Sequence, residues 1–250
     1  MENASGTSGT VPVYYDEPYR TELDCTVTNI EQKGSQHVLE FDRTIFYPEG
    51  GGQPTDQGEV SGASGKFRVA QVRTLPDGRI VHQGVLSGSL KPGDPMHCTL
   101  KWAPRLKNMR VHTAGHLIHD VLMTLAPGLT PTKGNHGPKA FLEYSGAVDP
   151  GVISILEARV NEVLAQDIPI VTRESDYNEI SQRCRFIPPG LPKNKKLRII
   201  QIGNFDMMPD GGVHVKTTKE IGAVVIHGIT TDNNTVVIRY GVTHGANGNA

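Results

Sequence analysis

Cysteine is scarce in this sequence of 250 residues, and so are aromatic side chains. The three cysteines, Cys25, Cys98 and Cys184, show no paired spacing, which argues against both a disulfide framework and a cysteine-based zinc site. A chain of this kind is typical of a reducing compartment. The net charge of -1 gives no overall attraction to nucleic acid, so any contact with RNA must come from local clusters of basic residues.

Long apolar runs are also absent. No stretch approaches the ~20 apolar residues that a helix needs to cross a bilayer. Residues 1–10 are small and polar and lack the basic start and apolar core of a signal peptide, so we expect a flexible tail there. The sequence therefore predicts a soluble, cytoplasmic protein without a membrane partner.

Residues 11–103 contain short β-type segments, several of them alternating apolar with polar side chains, cut by glycine, proline and aspartate. These segments are 25–30, 37–41, 66–72, 79–82 and 96–100. Many short strands with closely spaced turns are typical of a small barrel or sandwich, and we predict a small N-terminal β-barrel domain over 11–103. A glycine-rich loop at 47–56 interrupts it, with the spacing of neither a P-loop nor a dinucleotide fingerprint.

Residues 104–250 combine two helices with several strands. Apolar residues at steps of three and four predict a helix over 106–125. Asp149 and Pro150 are typical of the start of a second helix, whose predicted apolar face includes Ile155. Strands are predicted at 139–144, 197–202, 223–227 and 235–239. The expected fold class is α+β, with the barrel followed by a two-layer α/β domain.

His112 and His116 are the first candidate metal ligands. They are four residues apart in the predicted helix, so both rings leave the same face about one turn apart. Residues four apart are neighbours on any helix, and two partly buried core histidines are the alternative interpretation. Gly115 costs about 1 kcal/mol against alanine inside a helix, which indicates that a substrate or a closely packed strand needs the space beside His116.

Asp210 and His214 are the second candidate pair. Gly211 and Gly212 between them let the backbone fold tightly enough to aim both side chains inward, although an ordinary surface turn is the alternative. Two donors from each pair make a four-coordinate set, the number that zinc prefers. The sequence therefore predicts one zinc ion shared by the two pairs.

Three motifs in a fixed order resemble a known family. They are the glycine-rich segment 46–58, the His-Thr-Ala-x-His helix that begins at His112, and the Gly-Gly-x-His-Val-x-x-Thr-x-Glu-Ile-Gly segment that contains His214. Together they cover about 13–242 and resemble the free-standing alanyl-tRNA editing proteins, a family similar to the editing domain of alanyl-tRNA synthetase.

The resemblance implies a deacylase that acts on tRNA(Ala), the tRNA for alanine, when it is wrongly charged. The implied deacylase removes serine and, as a second substrate, glycine. It implies the zinc ligands His112, His116, Asp210 and His214 and the catalytic or pocket residues Gln53, Thr113 and Thr218. A site that bonds a substrate hydroxyl rejects the analogue lacking it, so Thr113 or Thr218 is expected to recognise serine. The sequence shows no motif for ATP-dependent aminoacylation, and we expect action in trans.

Two residues depart from the family pattern. Asp210 stands where the family usually has cysteine, and Gly115 where it usually has threonine. A carboxylate replaces a soft thiolate with a hard oxygen, which leaves open three histidines with a water, another divalent ion, or a site without metal. The alternative function is a catalytically weak or inactive tRNA-binding module. A metalloprotease is disfavoured because Thr113 stands where its helix would carry glutamate.

Basic residues crowd into one segment before the strand at 197–202. They are Lys193, Lys195, Lys196 and Arg198. We predict that they contact tRNA phosphates, since neutralising phosphates supplies most sequence-independent affinity; a solvated loop beside a strand is the alternative. Three cations near the histidine helix are expected to help, namely Arg105, Lys107 and Arg110.

Overall fold

The computed structural model describes residues 9–243 and divides them into two compact units. The first unit contains 9–50 and 54–105, and the second contains 51–53 and 106–243. The domain ranges 11–103 and 104–250 stay predictions. The predicted flexible tail lies outside the described residues except for its last two, of which Thr10 donates its hydroxyl to the Phe41 carbonyl at 2.7 Å.

The first unit is a closed barrel of six strands, joined in the order β2-β3-β7-β6-β5-β8. Its strands are β2 (Glu22–Lys33), β3 (Gln36–Phe41), β5 (Gly58–Gly62), β6 (Gly65–Thr74), β7 (Ile80–Gly88) and β8 (Pro95–Leu100). Two short strands, β1 (Val11–Pro12) and β4 (Arg43–Thr44), pair in parallel beside it. The predicted β-barrel is therefore confirmed.

Alternation of side chains explains how the barrel fills its interior. Along β8, Met96, Cys98 and Leu100 are buried and the residues between them are exposed, because successive side chains of a strand point to opposite faces. The sulfur atoms of Cys25 and Cys98 lie 3.3 Å apart in this interior as free thiols. The spacing of the cysteines in the sequence does not predict this contact, because strand pairing creates it.

The strand β5 was not predicted from the sequence. It carries one large apolar residue, Val60, between glycines at both ends, so its local signal is weak. It pairs with β6 and β8 and thereby closes the barrel. Closing the sheet into a barrel removes its open edges. This tertiary effect stabilises β5 as a strand although its local propensity is weak.

A buried ion pair within the first unit holds the end of the glycine-rich loop at Asp56. Arg105 is fully buried and pairs with Asp56, and its guanidinium also donates to the carbonyls of Pro18 at 2.8 Å and Ile45 at 2.5 Å. Asp56 in turn accepts from the backbone of Tyr47 at 2.7 Å. The prediction that Arg105 contacts tRNA phosphate is therefore wrong, because its donors are already used within the protein.

Removing one partner of this pair should destabilise the barrel strongly. We expect Arg105→Ala to lower the free energy of unfolding by about 3–5 kcal/mol, because Asp56 would remain buried without its counter-charge. Urea denaturation followed by circular dichroism measures the change. The exposed Arg68→Ala is the matched control, with an expected change within about 0.5 kcal/mol. Equal unfolding midpoints for the two variants would contradict the assignment.

The second unit contains two antiparallel sheets and three helices. The four-stranded sheet has the order β14-β15-β10-β9, and the three-stranded sheet has the order β11-β12-β13. The elements are α1 (Trp102–Leu125), β9 (Thr130–Asn135), β10 (Phe141–Ser145), α2 (Pro150–Leu164), β11 (Ile170–Ser175), α3 (Tyr177–Arg183), β12 (Leu197–Ile202), β13 (Met208–Pro209), β14 (Ala223–Asp232) and β15 (Thr235–Thr243). With the barrel, these elements are consistent with the α+β class.

Helices α1 and α2 follow the predicted periodicity. The Asp149 side chain caps α2 by accepting from Gly151 at 2.6 Å, and Pro150 occupies the first turn as predicted. Ile155, predicted on the apolar face, is instead 41% exposed, because the buried row runs through Leu156 at steps of four. No helix within residues 9–243 is long and apolar enough to cross a membrane.

Two elements of this unit had no strong propensity signal. β9 contains Pro131 and Gly134 and lies at the edge of its sheet, where a missing backbone donor is tolerated. α3 is short, but Asp176 accepts from the Glu179 backbone at 2.9 Å. That Asp-x-x-Glu spacing is a recognisable start signal for a helix.

Candidate metal centre

Four predicted ligands come together in the second unit. They are His112, His116, Asp210 and His214, and one donor atom from each lies within 4.8 Å of all the others. His112 and His214 are buried, and the other two side chains are only slightly exposed. This group could hold a metal ion. The alternative interpretations, two core histidines and an unrelated surface turn, do not account for the convergence of the two pairs.

Local structure explains why the two pairs converge. His112 and His116 stand one turn apart on α1. Asp210 follows β13, and its backbone N–H donates to the Arg198 carbonyl of β12 at 3.0 Å. Gly212 donates to the Asp210 carboxylate at 2.6 Å, and a Cβ at Gly212 would overlap the His112 ring. The glycine hinge is therefore needed for space as well as for a turn.

Gln53 fixes the tautomer of His112. Its side-chain oxygen accepts from His112 Nδ1 at 2.9 Å and from the Val213 backbone at 3.2 Å. His112 Nδ1 must carry the proton, so the lone pair of Nε2 faces the cluster. Gly51 and Gly52, with φ of +57° and +77°, allow the backbone to deliver Gln53 to this position.

Thr113 fixes the tautomer of His214. The hydroxyl donates its proton to the Met109 carbonyl at 2.8 Å and lies 3.1 Å from His214 Nδ1. Because that proton is already used, His214 must donate from Nδ1, and its Nε2 presents a lone pair. His214 Nε2 stands 2.8 Å from an Asp210 oxygen. Two lone pairs at this distance repel unless a cation or proton lies between them.

The electrostatics of the cluster also fit a cation. Burial lowers the pKa of His116 and lowers that of His214 to about 3, so both rings are neutral. Burial alone would raise the pKa of Asp210, but the surrounding imidazoles, His112 foremost, hold it well below its usual value. The Nε2 atoms of His112 and His116 are buried with no hydrogen-bond partner in the described part of the chain. Neutral imidazoles with free lone pairs around a carboxylate form a suitable donor set for a divalent metal.

Of the three predicted catalytic residues, the structure brings two to this cluster. Gln53 and Thr113 contact ligand histidines. Thr218 is buried, but its hydroxyl donates to the Leu164 carbonyl at 2.9 Å and accepts from the Ile168 backbone at 2.9 Å, and neither partner belongs to the cluster. These bonds tie the end of α2 to the segment before β11.

Of the four basic residues predicted for tRNA binding, Arg198 contacts the cluster through its carbonyl, which accepts from the Asp210 backbone, and the three lysines lie on an exposed loop. Lys193, Lys195 and Lys196 are exposed on the loop before β12, and the Lys193 ammonium stands 5.1 Å from the centre of the Tyr177 ring. Arg110, proposed as a helper, donates to the Glu220 carbonyl at 2.6 Å. A solvated loop and a phosphate contact both remain compatible with this exposure.

His136 adds a residue that sequence reasoning missed. Its ring stacks on His112 with 4.1 Å between ring centres. Its Nδ1 lies 2.6 Å from the Tyr240 hydroxyl, which donates to the Val111 carbonyl at 3.2 Å. The single Tyr240 proton serves one of these two acceptors; when it serves Val111, His136 donates from Nδ1 and keeps a lone pair on Nε2. Its only sequence signal was a histidine near two glycines.

Gly115 makes room for this histidine and tyrosine. A Cβ at Gly115 would stand 2.5 Å from the Tyr240 hydroxyl and 2.7 Å from His136. Real Cβ atoms do not approach other atoms so closely, and both rings are buried. Of the two explanations for Gly115, close packing beside the helix is therefore the one that the geometry supports.

Adding a single methyl group at this position should destabilise the second unit. We expect Gly115→Ala to lower the free energy of unfolding by about 1–3 kcal/mol through overpacking, although alanine is the better helix former. Urea denaturation measures the change. Gly128→Ala is the matched control, because no atom lies within 4 Å of a Cβ built at that position. A stability gain in both variants would contradict the packing argument.

A cavity of about 360 Å³ opens beside the cluster. Its walls include Gly51, Gly115, His116 and His136, and its far side is largely apolar and contains Phe186. This volume lies within the range of small-molecule sites. One ligand histidine therefore faces a space that admits a small substrate.

A second cavity, of about 180 Å³, lies further along α1 and is lined by His119, Asp120, Arg185 and Asp206. Asp120 is almost fully buried, and one of its carboxylate oxygens has no hydrogen-bond partner in the described part of the chain. Burial, together with the charge of Asp206, raises the pKa of Asp120 well above its usual value. Asp120 therefore takes up a proton more readily in the folded protein than in the unfolded chain.

This raised pKa should make stability depend on pH. The stabilising contribution of protonated Asp120 is complete below its unfolded pKa and is lost as pH rises towards the folded pKa. The loss amounts to about 1.4 kcal/mol for each pH unit between the two values. In urea denaturation, the stability of Asp120→Asn relative to the wild type should therefore be higher at pH 8 than at pH 5. The exposed control Glu174→Gln should show no such increase. Parallel pH profiles for wild type and Asp120→Asn would refute this.

Two family models match parts of the chain. Residues 20–103 match the model of class II (A) tRNA synthetases, and residues 197–239 match the threonyl and alanyl tRNA synthetase second additional domain. The second match contains Asp210 and His214, and the histidines of α1 fall between the two. The barrel and the later ligand pair thus define a class of proteins related to tRNA synthetases.

Individual relatives narrow this class. The chain is 36% identical over 219 residues to Alanyl-tRNA editing protein AlaX-L of Pyrococcus horikoshii, covering 86% of this chain and 53% of the relative. It is 31% identical over 206 residues to an alanine–tRNA ligase of Leuconostoc citreum, covering 80% and 23% of the two chains. A ligase of Methanoculleus marisnigri is 29% identical over 234 residues, covering 91% and 25%.

The chain is similar to the alanyl-tRNA editing proteins, which confirms the resemblance found in its motifs. It spans about half the length of the editing protein and about a quarter of the ligases that it matches.

Proposed function

We propose that this protein is a trans-editing deacylase that hydrolyses the ester joining serine to tRNA(Ala), with glycine as a second amino acid removed. The observation that carries the proposal is the convergence of His112, His116, Asp210 and His214 beside a cavity of about 360 Å³. The name of the relative from Pyrococcus horikoshii, an alanyl-tRNA editing protein, supports the substrate class.

Zinc is the proposed occupant of the centre. Imidazole nitrogens and a carboxylate oxygen are both ligand types that zinc accepts, and four ligands are its usual number. A bound zinc ion would supply Lewis-acid polarisation next to the ester. The hard oxygen of Asp210 is also suited to manganese or iron, so metal analysis is part of the test.

The residues around the ligands have distinct proposed roles. Gln53 and Thr113 position His112 and His214, and the Gln53 Nε2 is a buried donor without a partner among the described residues. That donor is the proposed contact for negative charge that develops on the substrate oxygen. The catalytic role predicted for Thr218 has less support, because its hydroxyl is already used in two bonds.

Recognition of serine requires a hydrogen-bond partner for its hydroxyl. The Thr113 hydroxyl has spent its proton on Met109 and faces His214, so it has little capacity left for a substrate. His136 lines the cavity and, when the Tyr240 proton serves Val111, keeps a lone pair on Nε2. We assign His136 as the acceptor for the serine hydroxyl, in place of the two threonines expected from the sequence.

The rest of the chain fits this proposal as a barrel followed by an editing domain. The range 104–250 is the proposed two-layer α/β editing domain, and 11–103 is the barrel domain with the glycine-rich loop. The exposed loop that carries Lys193, Lys195 and Lys196, together with Arg198 on β12, is a proposed contact for tRNA phosphates.

The function is tested by elemental analysis of the purified protein and by single-turnover hydrolysis of tRNA(Ala) charged with serine, glycine or alanine. We expect about one zinc per chain and faster hydrolysis of the serine and glycine esters than of the alanine ester. Asp210→Ala should lose the metal and at least about 100-fold in rate, because even outer-shell partners of a metal site contribute 10–100-fold. The exposed Asp232→Ala is the matched control and should retain both.

A metal-free wild-type protein that binds tRNA(Ala) without hydrolysing any of the three esters would overturn this function. That result would favour the alternative, an inactive tRNA-binding module with the editing-domain fold. Bound manganese or iron with intact hydrolysis would replace zinc and leave the deacylase function standing.

A further inference from the structure

A basic pocket, separate from the cavity at the metal centre, opens near the start of α1. Its volume is about 610 Å³, and its walls include Lys107, Lys139, His227, Arg239, Phe141 and Tyr240. The first four are basic, and they come from α1, the segment before β10, β14 and β15. The tertiary fold gathers these charges, since no two of them are close in the sequence. We call this feature the Lys107 pocket.

The charges of the Lys107 pocket are not neutralised within the protein. No acidic residue lines the pocket. Among residues 9–243, none of Lys107, Lys139, His227 and Arg239 forms an ion pair with a carboxylate. The Arg239 guanidinium has only a 3.5 Å contact with the Thr230 hydroxyl. Concentrated positive charge in a concave site attracts anions and focuses their approach.

Aromatic residues in the same walls indicate that the anion also carries a flat ring. Phe141 is half-buried on β10, where it pairs with Arg239 across the sheet. The Lys133 ammonium lies 5.8 Å from the centre of the Phe141 ring and adds a further cation nearby. Aromatic rings interleaved with basic side chains are typical of proteins that bind single-stranded nucleic acid, in which bases stack and phosphates pair.

The Lys107 pocket is connected to the metal centre through one side chain. Tyr240 lines the pocket, and its hydroxyl contacts His136, whose ring stacks on His112. Lys107 precedes His112 by five residues on α1, which is about 7.5 Å along the helix axis. The pocket and the metal centre are therefore about one and a half turns apart along α1.

We propose that the Lys107 pocket binds phosphates and one base of the single-stranded end of an RNA whose esterified terminus enters the metal centre. This inference rests on the proposed function and adds the surface that holds the RNA. The pocket differs from the loop at 193–196, the other proposed phosphate contact, because it is concave.

Binding of uncharged tRNA(Ala) to the full chain, measured by fluorescence anisotropy across a series of potassium chloride concentrations, tests the proposal. The triple variant Lys107→Gln, Lys139→Gln and Arg239→Gln removes three charges from the pocket. The matched control Arg68→Gln, Arg73→Gln and Lys91→Gln removes three charges from exposed positions of the barrel unit. Inorganic phosphate is added in a separate arm as a competitor.

We expect the pocket variant to weaken tRNA binding at least about tenfold at ~100 mM salt and to lower the slope of log Kd against log salt by about two, since each phosphate contact contributes 0.7–0.9. The control variant should change Kd less than about twofold. Unchanged Kd and slope in the pocket variant would overturn the proposal. So would a variant that loses competition by inorganic phosphate but keeps its affinity for tRNA, which would make the pocket an anion site only.

Two further measurements keep the outcome decisive. Far-ultraviolet circular dichroism checks that the triple variant is folded, and Phe141→Ala, which removes no charge, should weaken tRNA binding with an unchanged salt slope. Binding is measured without catalysis, so the two proposals fail separately. If the wild type hydrolyses no ester but the pocket variant binds tRNA more weakly, the inference is upheld and the proposed function is rejected. If the wild type hydrolyses the esters but the pocket variant binds tRNA as tightly as the wild type, the function is upheld and the inference is rejected.

Discussion

The buried Asp210 carboxylate among three imidazoles is the constraint on which the second unit depends. Removing an ionised group from water costs several kcal/mol unless opposite charge or hydrogen bonds compensate for it. The Gly212 backbone N–H donates to Asp210, and a cation held between the carboxylate and the imidazole lone pairs would supply the opposite charge. Gln53 and Thr113 hold two of those imidazoles in the tautomer that presents Nε2. The surrounding glycines keep Cβ atoms out of the space that the rings need.

This constraint explains the two departures from the family pattern in physical terms. An aspartate in the position of a cysteine still provides a negatively charged donor beside the three histidines. The absence of a side chain at Gly115 allows His136 and Tyr240 to pack beside α1 and to contribute a stacked ring next to His112. The site therefore keeps a dense cluster of donor atoms with both departures. It differs in having an oxygen donor at Asp210 and the His136 ring packed beside His112.

The convergence of the four candidate ligands could be predicted from the sequence in part, because the spacing within each pair is local. Helical geometry sets the distance between His112 and His116, and the glycine hinge does the same for Asp210 and His214. The roles of the neighbouring residues could not be predicted in the same way. Thr113 follows His112 in the sequence, yet its hydroxyl supports His214, 101 residues away. His136 had no distinguishing pattern, because ring stacking depends on where β9 and α1 meet.

Composition and periodicity by themselves determined the α+β class, the barrel with its alternating strands, the two long helices and the two ligand pairs, because these follow from side-chain spacing within single elements. Tertiary structure alone decided that β5 closes the barrel, that Arg105 forms a buried ion pair with Asp56, and that the basic residues of the Lys107 pocket line one cavity. The reason is that a local pattern specifies which face of an element is apolar. It does not specify which distant side chain will meet that face.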